Sequence, residues 1–414
     1  MASDPVLQAQ MIRMTAAYVF VVIALLCSQG KTARAQKTAF LPVNNPGALS
    51  HFHRTLRRTA RQIGTTRILQ YGASHTSADI FTGYMRRFFQ ERFGDAGHGF
   101  VMPAKPWSGY RNMDVNIESS DTWLSERVGK KESRKDGLFG LAGYSCASTN
   151  SSDFARVYTT QTNTFGRNVS NFQVLFLRQP GGGAFDILVD GEHYTRVLSK
   201  HPTVAAGHHL VRVSDGPHKL EIRPAGDGEV RLFGVVMERD KAGVIVDSLG
   251  IRGMRASVHL RWNEDLWRKY IQKRNPDLVI LAYGTNESGD THAPIERYES
   301  QLSRVIKRFK SAVPRASCVL VGPTDYPVKI GRRRVKHRPR TDQIISVQKK
   351  IGRALGCAFW DSAKAMGGPL SILKWSNSEP RLAGDDLIHL TARGYRQLSE
   401  DFCRALLSGY ESVR

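Results

Sequence analysis

The feature that most constrains the fold is a set of short apolar runs, each ending in small or polar residues and each followed by an amphipathic segment. Leu278-Val-Ile-Leu-Ala-Tyr283 ends in Gly284-Thr-Asn286, Cys318-Val-Leu-Val321 in Gly322-Pro-Thr-Asp325, and Gly243-Val-Ile-Val-Asp-Ser-Leu249 in Gly250-Ile-Arg-Gly253. Ala358-Phe-Trp360 is a fourth run, and helical spacing recurs at Leu266, Trp267, Tyr270 and Ile271, at Tyr298, Leu302, Val305, Ile306 and Phe309, from Ile344 to Leu355, and from Ala392 to about Leu407. Runs without alternation suit strands buried on both faces, and strands alternating with helices of this length imply an α/β fold with a doubly wound parallel sheet.

A fifth run, Ile68-Leu-Gln-Tyr-Gly72, lies far upstream, after a helical pattern at Leu49, Phe52, Leu56 and Ala60 and before another at Ile80, Phe81, Tyr84, Met85, Phe88 and Phe89 that stops near Gly94. It presents Ser74 in the turn between strand and helix. A serine there can be an N-cap or a nucleophile at the carboxyl edge of the sheet. Further on, Gly94 to Gly99, Pro103 and Pro106 read as an irregular loop that leaves Trp107 and Tyr110 near that edge.

From about Leu138 to Glu238 the pattern changes. Short alternating runs (Phe172–Leu177, Phe185–Val189, His209–Val213, Lys219–Ile222, Val230–Met237) are separated by Gly181-Gly-Gly183, Asp190-Gly191, Asp215-Gly-Pro217 and Gly226-Asp-Gly228. Strands and turns at this spacing predict a β-sandwich or jelly roll, inserted as residues 136–240 into an α/β domain formed by 36–135 and 241–414. The 414 residues accommodate both, and 41% hydrophobic with 23% charged residues is a globular composition.

Residues 1–35 have the layout of a secretory signal: Arg13, an apolar run from Met14 to Cys27, and Ala33-Arg34-Ala35 as a small-x-small cleavage site. The run is shorter than the roughly 20 residues a spanning helix needs, and no other stretch is long enough to cross a membrane, so a bacterial periplasmic or secreted protein without a stable span is expected. Of the net charge of +23, only +2 falls in those residues, from Arg13, Lys31, Arg34 and Asp4. An exported basic protein is expected to meet acidic envelope polymers rather than nucleic acid, although a merely solvated basic surface gives the same count. The densest basic stretch, Arg332 to Arg340, follows no helical face and reads as a loop. Cys146, Cys318, Cys357 and Cys403 match no metal or redox spacing. Cys318 and Cys357 each open an apolar run and can pair or stand as buried thiols.

Three further stretches fall at expected strand ends or beside a helix start: Gly253, Asn286, and Asp386-Leu-Ile-His389. A serine nucleophile needs a base to take its proton, the base needs an orienting carboxylate, and the oxyanion needs N–H donors. His389, Asp386, backbone N–H groups and the Asn286 amide supply these. The residues resemble the SGNH/GDSL hydrolases: Gly72-Ala-Ser-His75, Gly284-Thr-Asn-Glu287 and Asp386-Leu-Ile-His389 with Leu390-Thr391 correspond to that family's blocks. More narrowly, Gly72-Ala-Ser-His75, Val246-Asp-Ser-Leu-Gly-Ile-Arg-Gly253 and Leu281-Ala-Tyr-Gly-Thr-Asn-Glu287 are similar to the peptidoglycan O-acetylesterase branch, which carries a carbohydrate-binding-like β insertion. The resemblance implies Ser74 as nucleophile, His389 as base, Asp386 orienting it, and Ser74 N–H, Gly253 N–H and Asn286 as oxyanion hole, with Gly250 an alternative to Gly253. Two residues depart from these patterns: Ala73, where the family usually has an aspartate, and Arg252, where the branch usually has a small or polar residue. No metal or cofactor is expected, because no His/Asp/Glu cluster has ligand spacing. The implied activity is a secreted serine esterase that removes O-acetyl groups from an envelope polysaccharide. An O-acetyltransferase using the same site, and a non-catalytic polysaccharide-binding protein, are the alternatives.

Overall fold

The structure is a computed structural model, in which residues 40–331 and 334–410 are described. The expected signal segment, with its cleavage site, and Arg332 and Arg333 of the basic run lie outside the described residues.

Five parallel strands form the central sheet: β1 (Thr65–Gly72), β2 (Gly243–Gly250), β3 (Leu278–Ala282), β4 (Ser317–Val321) and β5 (Ala358–Trp360). Their spatial order is β2-β1-β3-β4-β5, with Gly72 opposite both Gly250 and Ala282. This is a doubly wound sheet whose strand order reverses at β1, and such folds place ligands beyond the carboxyl ends of the strands at that point.

Alternate side chains of each strand enter two apolar layers. Ile68, Val246, Ile280 and Val319 pack with Phe52, Phe89 and Phe402, from helices α1 (Ser50–Ala60), α2 (Ile80–Phe93) and α6 (Ala392–Leu406). Leu69, Leu249, Leu281 and Leu320 face the other way, against Trp267, Phe309 and Ile344 of α3 (Glu264–Arg274), α4 (Ile295–Ala312) and α5 (Pro339–Ala354). Burial on both faces accounts for runs that are apolar throughout.

Between α2 and β2 the chain builds two antiparallel sheets. One contains Leu124–Arg127, Tyr144–Ser148, Val169–Arg178, Ala205–Gly216 and Val230–Glu238; the other contains Val115–Ser119, Ala155–Thr159, Ala184–Val189, Glu192–Leu198 and Lys219–Pro224. Phe176 and Phe185 meet edge to face between them, with ring centroids 5.1 Å apart. The layer is a β-sandwich, and its core is continuous with the α3 side of the central sheet.

Antiparallel pairing starts upstream of residue 136, at Gly99–Val101 and Val115–Ser119. These strands are only three and five residues long and stand on either side of Pro103, Pro106 and Gly109. Their partners lie far along the chain, as Val101 opposite Val235 illustrates, so local pattern is a weak guide to them. Likewise, α5 begins at Pro339 rather than near Ile344. Proline at the first helical position loses no intrahelical bond, and the tail of the basic run becomes the first turn.

Charge fastens sandwich to sheet. Arg274 on α3 donates to the buried Asp247 of β2 at 2.8 and 3.1 Å and pairs with Glu238, whose second oxygen takes Arg67 of β1 at 2.9 Å. Asp247 also accepts from Phe100 N–H at 2.9 Å. Burial pushes the Glu238 carboxyl up, but Arg274 and Arg67 together outweigh it and hold it at about 2. Cys318 and Cys357, at the starts of β4 and β5, form a disulfide, while Cys146 and Cys403 are buried thiols. Among the described residues no helix is long and apolar enough to cross a membrane.

Candidate active site

The strand β1 must end in glycine. A Cβ at Gly72 would stand 2.2 Å from Thr76 Oγ1, because the chain folds straight into a short helix, Ser74–Ser77. The Ala73 carbonyl accepts the N–H groups of Thr76 and Ser77 at 3.1 and 3.0 Å, so the turn closes through backbone and the Ser74 hydroxyl makes no capping bond. Gln70 Nε2 donates to Thr76 Oγ1 at 3.0 Å, and Ser248 Oγ donates to the Thr76 carbonyl at 2.9 Å. The turn is thereby held to β1 and β2, and Ser74 N–H is the first of a helix, where no intrahelical acceptor exists.

The partner loop precedes α6. Asp386 Oδ1 accepts the N–H groups of Ile388 and His389, each at 3.0 Å, while Leu387 takes a left-handed φ of 57°. The same carboxylate thus shapes the loop and presents Oδ2 to His389 Nδ1 at 2.7 Å. His389 Nε2 then lies 2.9 Å from Ser74 Oγ. Burial pushes the Asp386 carboxyl up, but the His389 side chain and the two backbone N–H groups outweigh it and hold it below its ordinary value. Thr391 closes the loop by capping α6, accepting from Gly394 N–H at 3.2 Å. His389 and Asp386 have side-chain exposures of 46% and 47%, so solvent reaches the pair.

His75 packs beneath them. Its ring centroid is 5.4 Å from that of His389, and Nδ1 lies 2.8 Å from Tyr395 Oη. Burial, reinforced by the charge of His389, lowers its pKa to about 3, so it stands as a neutral imidazole beside the base.

Asn286 lies in the short helix after β3 and donates through Nδ2 to the Met254 carbonyl at 2.8 Å. One of its two amide hydrogens is so engaged, and the other remains for the cleft. The adjacent Glu287 is buried and accepts from Ala256 N–H at 2.8 Å and Gly284 N–H at 3.0 Å, bonding the tip of β3 to the loop that carries Gly253. Burial raises its carboxyl pKa. Gly253 has φ +70°, and a Cβ there would meet no atom within 4 Å. Gly250, by contrast, lies under the short helix, where a Cβ would be 2.3 Å from Ser77 N.

Ser74, Gly253, Asn286 and His389 line one open cleft of about 530 Å³, walled on its far side by Trp107, Ser125, Arg127, Lys130 and Arg252. Of the residues singled out by sequence, Ser74, Asp386, His389, Asn286 and Gly253 come together here, and Gly250 does not line this cleft. Sequence reasoning assigned no role to His75 or Glu287, although both stand inside motifs it quoted, next to Ser74 and Asn286. Among the described residues no group of three or more His, Cys, Asp or Glu side chains is placed to hold a metal ion. What the arrangement can do is pass a proton from a hydroxyl to an imidazole beside a cluster of N–H donors.

Residues 224–397 match the GDSL-like lipase/acylhydrolase family. The match spans 174 of the 414 residues, and over it the chain is similar to that family. The matched span includes Gly253, Asn286, Asp386 and His389 and starts downstream of Ser74. Among solved structures, a peptidoglycan O-acetylesterase shares the fold with a TM-score of 0.74 at 24% identity, over 89% of this chain and 98% of the other. Two looser likenesses are a family two carbohydrate esterase from Clostridium thermocellum (TM-score 0.30, 13% identity, 65% of this chain and 96% of the other) and an acetyl xylan esterase (TM-score 0.30, 20% identity, 39% and 80%). No curated protein matches the chain. The family match and the shared fold support an esterase of the SGNH kind.

Proposed function

We propose that this esterase is exported and removes O-acetyl groups from a cell-envelope polysaccharide. The observation that carries the reading is the relay of 2.9 and 2.7 Å from Ser74 through His389 to Asp386, opening on a cleft shared with Gly253 and Asn286. Ser74 Oγ attacks the ester carbonyl carbon while His389 Nε2 takes its proton, and Asp386 stabilises the imidazolium. The oxyanion meets Ser74 N–H, Gly253 N–H and Asn286 Nδ2. The C–O bond to the sugar breaks, and the sugar oxygen leaves with the proton from His389. Water, deprotonated by the same imidazole, then cleaves the acyl-enzyme to acetate.

Support for a saccharide comes from the sandwich wall beside the cleft and from the half-buried Trp107 on it, a surface suited to a sugar face. Support for export comes from the pattern of residues 13–35 and from the Cys318–Cys357 disulfide, which suits an oxidising compartment. Acidic envelope polymers are the proposed partners of the basic surface. The test is acetate release from O-acetylated cell-wall and exopolysaccharide preparations by the protein and its Ser74→Ala variant. Turnover of a small aryl acetate with no acetate from any glycan would overturn the substrate reading.

A further inference from the structure

The cleft wall opposite Ser74 carries cationic groups that the ester chemistry does not use. Arg252, next to Gly253, is exposed, and its guanidinium carbon stands 5.7 Å over the Trp107 ring. Arg127, at the end of a sandwich strand, donates from Nη1 to the Arg252 carbonyl at 2.8 Å. Among the described residues no carboxylate pairs with either guanidinium. Glu126, the acidic residue of this wall, is committed elsewhere: Arg134 Nε stands 2.8 Å from its Oε2 and Arg134 N–H donates to Oε1 at 2.8 Å. Lys130 adds an ammonium whose nearest carboxylate, on the exposed Glu132, is 3.9 Å away.

An arginine side chain is a planar fork of donors shaped for carboxylates, and it also stacks on aromatic faces. Three arginines that brace the fold show the usual match: Arg274, Arg86 and Arg156 each hold a carboxylate within 3.0 Å. Here two guanidinium groups and an indole face one cleft whose acidic residue, Glu126, is taken by Arg134. Resting on the glycan reading above, we propose that this wall is a subsite for a carboxylate on the O-acetylated saccharide. Trp107 supports the sugar ring, while Arg252, Arg127 and Lys130 receive the acid group as Ser74 reaches the ester. The recognised chemistry is a carboxylate held a sugar unit or less from the acyl group. It can come from a uronic acid or from a lactyl ether on an amino sugar.

The test uses two matched substrate pairs: O-acetylated uronic-acid oligomers, and O-acetylated glycan strands with free lactyl carboxylates, each beside the same material with its carboxyls converted to neutral amides. The readout is acetate release, as the ratio of kcat/KM for the acidic to the neutral member. At low salt the ratio is expected to exceed about fivefold for at least one pair, near the upper range for exposed ion pairs, and to fall as added salt screens the charges. The pair that shows it names the source of the carboxylate. Arg252→Gln should bring the ratio toward one, and Arg252→Glu below one. Because each value is a ratio within one protein, a general loss of activity does not move it. A ratio of one for both pairs in the unaltered protein, or a ratio that Arg252→Gln leaves unchanged, overturns the subsite while leaving the glycan reading intact. Aryl acetate turnover with no acetate from either pair overturns both.

Discussion

Replacing Asp386 by asparagine separates the two tasks of that carboxylate. Oδ1 of the asparagine can still accept from Ile388 and His389 N–H, so the loop is retained, and the expected loss of stability is below about 1 kcal/mol. The other atom is now an N–H₂ facing His389 Nδ1 across 2.7 Å. Two donors cannot share that contact, so the imidazole proton moves to Nε2 and points at Ser74 Oγ. The base then has no lone pair to accept the hydroxyl proton. Loss of positioned general-base catalysis is worth roughly 10² to 10⁴ in rate, and a tautomer change of this kind at a buried triad reaches about 10⁴. Here the side chains are half exposed and water can restore part of the correct tautomer, so a fall of about 10³ in kcat is expected. The assay is aryl acetate hydrolysis across the neutral range, with thermal unfolding followed in parallel. A variant that folds normally and keeps activity within about tenfold would refute the role given to Asp386.

Glu287→Ala removes the acceptor of two buried backbone N–H groups at 2.8 and 3.0 Å. It should cost roughly 2 to 6 kcal/mol in denaturant unfolding, at about 1 to 3 per orphaned donor, and lower kcat more than it raises KM. Glu238 has a depressed carboxyl, so its contribution is complete above its ordinary value of 4.5 and is lost as the pH falls toward about 2. It is on the order of 3 kcal/mol, and the stability gap between the protein and Glu238→Gln should therefore narrow on acidification through that window. Gly250→Ala drives a methyl against Ser77 backbone and should destabilise severely, whereas Gly253→Ala meets open space and should cost about 1 to 2 kcal/mol for its left-handed backbone while still folding. Thermal unfolding of the two variants measures the contrast.

The residues legible in the sequence were those whose placement is local. Each central strand is a run buried on both faces that must stop where a small residue lets the chain turn, so Gly72, Gly250 and Gly284 mark the sheet's carboxyl edge without knowledge of any partner. Ser74, Gly253 and Asn286 stand within three residues of those stops. Asp386 and His389 lie three apart, close enough to be read as one unit. Chemistry narrows the choice further, because nucleophile, base and amide donor admit few residue types.

The cleft's far wall had no such signature. Strands Val115–Ser119 and Leu124–Arg127 are pinned by partners elsewhere in the chain, as Val115 opposite Thr159 and Leu124 opposite Ala147 show, and nothing near Arg127 announces that it will donate to the Arg252 carbonyl 125 residues on. The same holds for Glu287, which looks like an ordinary helix-start acid until Ala256 N–H is seen against it. Arg252 could be noticed only as an unusual neighbour of Gly253. Folding supplies what that reading lacked: the sandwich core is continuous with one face of the central sheet, and strand Leu124–Arg127, paired with Tyr144–Ser148, ends at the cleft. Reaction type is therefore written in short local motifs at the strand ends, while substrate choice is written in pairings between distant segments. A substitution such as Arg252→Gln should alter the second while leaving the Ser74–His389–Asp386 relay in place.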